Sequence, residues 1–157
     1  MFVLLRELGR IRRQLRLPAG ESGGSLAVRH VDVGSCNGCE HELNQAGIPF
    51  YDLSRFGISV VASPRHADVL LVTGVVTTRM LEPLRVAYAA MPEPRLVAAL
   101  GDCARGCNVL GHPDALVGGV HEALPVDVVI PGCPPDPQRI ADGLLEALAR
   151  SRRRDGA

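Results

Sequence analysis

The sequence predicts an open, doubly wound α/β domain: a parallel sheet with helices on both faces and a ligand site at the carboxyl ends of its strands. Three observations carry this. Short runs nearly continuous in Val, Leu and Ile recur along the chain, the pattern of strands buried on both faces. Helical stretches separate them at lengths suited to crossover connections. And several cysteines fall just beyond strand ends rather than inside strands.

The elements follow in order. Leu4, Leu8, Ile11 and Leu15 form one apolar stripe flanked by Arg6, Arg10, Arg12, Arg13 and Arg16, so residues 1–17 read as a basic amphipathic helix. Such a helix docks on a membrane surface, in a partner's groove or on its own domain. Pro18 to Ser25 is a Gly/Ser/Pro linker, which divides the chain into residues 1–25 (helix and linker), 26–150 (the α/β domain) and 151–157 (a basic, solvated tail). Within the domain, strands are expected at Leu26–Val33, Ile58–Ala62, Val69–Thr73, Leu96–Leu100 and Val126–Ile130. Helices are expected at Cys39–Ala46, Thr78–Met91 and Pro137–Ala149, with a shorter one near Pro113–Glu122. This alternation suits a sheet of flavodoxin-like order.

Composition bounds the function. At 157 residues the chain is long enough to bury a core without staples, and its 46% hydrophobic and 22% charged residues are ordinary for a globular domain. A formal net charge of zero gives no electrostatic case for a nucleic-acid partner, and 3% aromatic residues with no Trp give no stacking platform for single strands. Every basic residue is Arg. Five cysteines without a secretory signal point to a reducing compartment where thiols stay free or bind metal. No apolar run approaches the roughly 18 residues of a spanning helix.

The chain is organised around Val33-Gly34-Ser35-Cys36-Asn37-Gly38-Cys39-Glu40, two thiols on a glycine-bearing turn between a strand and a helix. Cys103 follows the fourth predicted strand and Cys133 the fifth. Strands of a parallel sheet end on one edge, so Cys36, Cys39, Cys103 and Cys133 converge there although 63 and 29 residues separate the later ones. Four thiolates suit zinc or an iron–sulfur cluster. Structural zinc usually sits on two paired knuckles of a small domain, whereas here one knuckle is joined by two single cysteines from separate loops. A four-iron cluster suits that fan better, and Cys133-Pro134 matches the Cys-Pro of ferredoxin motifs. Zinc and inert thiols stay open as alternatives. Gly34, Gly38, Gly101 and Gly132 lie within two residues of a candidate ligand, where the chain must turn sharply or approach sulfur closely.

Cys36-Asn37-Gly38-Cys39-Glu40, Gly101-Asp102-Cys103-Ala104 and Pro131-Gly132-Cys133-Pro134-Pro135 resemble the cluster motifs of one family. It unites the small subunit of nickel–iron hydrogenases with the cluster-bearing B subunit of respiratory complex I (NADH:quinone oxidoreductase). Pro49-Phe50-Tyr51-Asp52, Arg55-Phe56-Gly57, Ala62 to Asp68 and Val72-Thr73-Gly74 are similar to its intervening blocks, so the resemblance spans roughly Arg29 to Leu148. It implies a flavodoxin-like domain holding one [4Fe–4S] cluster through Cys36, Cys39, Cys103 and Cys133, facing a catalytic large subunit and exchanging single electrons with it. Complex I proteins have adjacent cysteines in the first motif; here Asn37-Gly38 separates them, as in hydrogenases. The chain is shorter than classical hydrogenase small subunits and has no cysteines for their two further clusters, so it resembles the small subunits of membrane-bound, energy-converting hydrogenases and formate hydrogenlyase. The implied partners are a hydrogenase or complex I-type large subunit, a ferredoxin-like iron–sulfur subunit and membrane subunits. The implied place is the cytoplasmic face of the membrane, as a peripheral, non-catalytic electron-transfer subunit. A quinone-reducing complex I-like subunit is the alternative, and a zinc-stabilised interaction domain the second.

Cys107 departs from the family pattern and is read as a neighbour of the cluster rather than a ligand. Glu40 reads as a solvated or Arg-paired residue at a helix start, with a proton relay as the sharper option. Together with Gly38, Gly101 and Gly132 these residues form the candidate outer shell. His41, His66, His112 and His121 have no ligand spacing and read as surface, capping or interface residues.

Overall fold

The structure is a computed structural model that describes residues 24–107 and 113–155. Five parallel strands make the main sheet: β1 (Leu26–Asp32), β2 (Ile58–Val60), β3 (Val69–Thr73), β5 (Leu96–Leu100) and β7 (Val128–Ile130), in spatial order β2-β1-β3-β5-β7. Counted among themselves, the five run 2-1-3-4-5, the flavodoxin-like order. A separate ribbon pairs β4 (Val76–Thr77) antiparallel with β6 (Leu116–Gly118). The helices are α1 (Gly38–Ala46), α2 (Leu81–Ala89) and α3 (Pro137–Asp155). The predicted amino-terminal helix, and the predicted linker as far as residue 23, lie outside the described residues.

All five residues of β3 and of β5 are buried, because each strand has neighbours on both edges and helices over both faces. Their side chains alternate between two cores. Val69 and Leu71 join Leu26, Val28, Leu43, Ile140 and Leu144 beneath α1 and α3, while Leu70 and Val72 join Val33, Leu84, Val97 and Val120 on the α2 side. Each such buried aliphatic side chain contributes about 1.5–3 kcal/mol. α3 starts where Asp136 accepts a hydrogen bond from the Arg139 N–H at 2.9 Å, a side-chain cap for an otherwise orphaned donor.

Two expectations are corrected. Pro113–Glu122 is not a helix: it is a 3-10 turn (Pro113–Ala115), strand β6 and a second 3-10 turn (Val120–Glu122). Gly118-Gly119 interrupts any helical run there, and Gly118 sits at φ +133°, outside helical space. The last helix does not stop at Ala149 but runs into the Arg-rich stretch, since α3 continues to Asp155. Arg has high helix propensity, and Glu146 accepts from Arg150 at 2.7 Å across one turn. Among the described residues no helix is long and apolar enough to cross a membrane.

Candidate metal centre

The sheet order brings the ends of β1, β5 and β7 to one edge, and the cysteines follow them. After β1, Asp32 Oδ1 accepts from the backbone N–H groups of Gly34 at 2.9 Å and Ser35 at 2.8 Å, folding the turn that carries Cys36. Ser35 Oγ then accepts from the Asn37 N–H at 3.1 Å. Asn37 itself takes the left-handed conformation at φ 69°, which Asn tolerates better than most residues, and leads into α1. Gly34 is at φ +140°, and a Cβ there would stand 2.7 Å from the Val75 carbonyl oxygen. Gly38 differs from the expectation for it: the left-handed position belongs to Asn37, and a Cβ on Gly38 would meet Cys36 Sγ at an ordinary 3.5 Å.

Cys39 lies in the first turn of α1 and reaches across to the end of β5. Gly101, at φ +89°, leaves room for it: a Cβ there would stand 2.6 Å from Cys39 Sγ and 3.5 Å from the Gly132 carbonyl oxygen. One glycine therefore touches the loops of Cys39 and Cys133 while preceding Cys103 by two residues.

The thiols feel one another. The Cys39 thiol is pushed up to about 12 by burial first, then by Glu40, Cys103, Cys36 and Cys133. Burial also raises Cys103, followed by Cys133, Cys36, Asp102 and Cys107. All four predicted ligands thus share one neighbourhood, with Cys36 and Cys133 exposed and Cys39 and Cys103 half-buried, and all are free thiols. Cys39 and Cys103 keep their protons unless a cationic centre compensates their thiolates, which is what a metal supplies. Among the described residues no group of three His, Cys, Asp or Glu side chains is gathered so as to hold a single metal ion.

The loops of Cys103 and Cys133 are tied together. Gly101 N–H donates to the Ile130 carbonyl at 2.8 Å and Asp102 N–H to the Gly132 carbonyl at 2.8 Å. Asp102 Oδ1 accepts from the Gly132 N–H at 3.1 Å and from Arg105 Nη1 at 3.1 Å. Gly132 is at φ +143°, where a Cβ would collide with Pro135, so this position requires glycine. Cys107 is exposed on the turn that also carries Cys103.

Glu40 is largely buried, and among the described residues it is paired with no Arg. Its side chain is 13% exposed; Thr73 Oγ1 donates to its Oε1, and His30 Nε2 lies 3.5 Å from the same oxygen. His30 Nε2 also lies 2.9 Å from Thr73 Oγ1. Glu40 Oε2 is buried without a hydrogen-bond partner among the described residues. Sequence reasoning missed His30 and Thr73, which sit in strands that a hydrophobic pattern assigns to core; a polar residue within β1 and another at the end of β3 are the signal. Asp32 and Asp102 were missed too, although an Asp within two residues of a Gly and shortly before Cys36 or Cys103 marks a side-chain-supported turn. His41 is exposed and within 3.2 Å of Asn37, His66 and His121 are exposed, and His112 is outside the described residues.

The sequence profile described as NADH ubiquinone oxidoreductase, 20 Kd subunit, matches residues 36–147, from Cys36 to the middle of α3. The chain belongs to this family. Among relatives of this 20 Kd subunit family, the probable membrane-bound hydrogenase subunit mbhJ of Pyrococcus furiosus is 45% identical over 128 residues, covering 82% of this chain and 77% of that one. Formate hydrogenlyase subunit 7 of Escherichia coli is 44% identical over 124 residues, covering 79% of this chain and 49% of that one. A chain of the archaeal membrane-bound sulfane sulfur reductase superposes with a TM-score of 0.70 at 32% identity, over 82% of this chain and 71% of that chain. A chain of an NAD+-reducing nickel–iron hydrogenase superposes at 0.60 and 20% identity, over 81% of this chain and 93% of that one, a likeness of fold.

Proposed function

We propose that this family member is the electron-transfer subunit of a membrane-associated, hydrogenase-type oxidoreductase complex, holding one [4Fe–4S] cluster through Cys36, Cys39, Cys103 and Cys133. The observation that carries the reading is the convergence of these four thiols from three loops, with Gly101 bare where Cys39 Sγ crosses to the other two loops. A donor set of four sulfurs, one pair and two single cysteines fanned over three loops, suits a polynuclear centre better than structural zinc. When bound, such a cluster accepts and returns one electron. The protein's own part is to hold the four sulfurs, limit water on the Cys39 and Cys103 side, and supply turns of backbone N–H groups around the loops.

The hydrogenase branch is favoured by the separated Cys36 and Cys39 and by the relatives named as hydrogenase and formate hydrogenlyase subunits. Its partners are then a nickel-bearing large subunit, a ferredoxin-like iron–sulfur subunit and membrane subunits, with this chain peripheral on the cytoplasmic face. The complex I-like, quinone-reducing alternative rests on the family itself. Purification of the tagged chain with its partners under anaerobic conditions separates the two: nickel with the iron supports the hydrogenase reading, and iron without nickel moves the assignment to the quinone-reducing branch. Zinc without iron overturns both.

A further inference from the structure

The β5–β7 ladder pairs Leu100 with Ile130 and there the strands end. Cys103 and Cys133 lie beyond that point, so their separation depends on whatever continues the pairing. Asp102 does this twice against one residue. Its N–H donates to the Gly132 carbonyl at 2.8 Å, and its Oδ1 accepts the Gly132 N–H at 3.1 Å. Its own carbonyl accepts from Arg105 N–H at 3.1 Å and Cys107 N–H at 3.0 Å, closing the turn that bears Cys103. Arg105 Nη1 donates to the same Oδ1 at 3.1 Å.

We infer that Asp102 is a positioning residue that locks the Cys103 turn to the Cys133 loop, and so fixes the spacing of two ligands contributed by different strands. What recommends the carboxylate is its reach: an acceptor that takes the Gly132 amide while the backbone on the same residue serves the Gly132 carbonyl. Gly132 is the fitting partner, since a side chain at its φ of +143° is excluded.

The inference rests on the four-thiol reading above, and the test keeps the two apart. In the intact complex, Asp102→Ala and Asp102→Asn are compared with the parent for iron release to a chelator and for the electron paramagnetic resonance signal of the reduced cluster. Asn keeps the acceptor for the Gly132 N–H, and Ala removes it. Loss of an outer partner of this kind typically costs about 10- to 100-fold in metal retention. The expected result is that faster release, with an altered signal, for Ala, and release and signal close to the parent for Asn. A parent-like Asp102→Ala complex overturns the inference. Hydrogen exchange at the Gly132 amide of the parent keeps it falsifiable should the Ala variant fail to assemble: slow exchange is expected, and exchange as fast as in an open loop overturns it. A parent complex without iron overturns the ligand reading itself.

Discussion

Gly101 lies beneath Cys39: a methyl group on residue 101 would stand 2.6 Å from the Cys39 sulfur, in a backbone conformation at φ +89° that other residues rarely adopt. Gly101→Ala is therefore expected to destabilise the chain by about 1–3 kcal/mol through backbone strain, and to displace the Cys39 thiol. Iron per chain and the thermal midpoint are both expected to fall. A variant with parent iron content would contradict a close approach of Cys39 to the β5 end.

The fifth cysteine separates proximity from ligation. Cys107 shares the turn of Cys103 and lies near enough to raise its thiol. Cys107→Ser is expected to keep the four-iron signal, whereas Cys133→Ala abolishes it while far-ultraviolet dichroism still reports the α/β domain. The reverse pattern would make Cys107 the ligand.

How much of this was legible in the sequence follows from what each residue does alone. Val69 to Thr73 and Leu96 to Leu100 announced central strands, because every side chain along them is buried and apolar or nearly so. The cysteines announced their convergence because parallel strands end on one edge. The β4–β6 ribbon was not legible: Val76–Thr77 and Leu116–Gly118 are too short for a period, and their pairing spans some forty residues of intervening chain. Nor was Glu40, whose partners His30 and Thr73 come from adjacent strands, a juxtaposition set by the β1–β3 register. Gly38 had a glycine's address without a glycine's need, since Asn37 takes the left-handed turn.

Thr73 is the buried polar residue among those described, and its hydroxyl serves Glu40 Oε1. Thr73→Val keeps the shape and removes the donor, leaving the carboxylate with less hydrogen bonding on a side already short of it at Oε2. A loss of about 1–3 kcal/mol in denaturant unfolding is expected. An unchanged midpoint would mean that water reaches Glu40 in solution.

His30 sets a pH dependence. Burial lowers its folded-state value from the ordinary 6.5, outweighing the opposing pull of Glu40 and Asp32. The unfolded chain therefore binds a proton first as pH falls, so this contribution to stability is intact above about pH 6.5 and is lost as pH drops toward the folded-state value. Unfolding curves across that window are expected to slope less steeply in His30→Gln. An identical slope would place the titrating group elsewhere.

The central claim is that Cys36, Cys39, Cys103 and Cys133 hold one four-iron cluster. Iron, acid-labile sulfide, nickel and zinc, measured together on the anaerobically purified native complex and on its Cys36→Ala counterpart, test it most directly. The account predicts that the variant loses iron and sulfide in equal amounts relative to the parent, the share of one four-iron cluster. Zinc in place of iron, or a variant that keeps its full iron and sulfide, would contradict it.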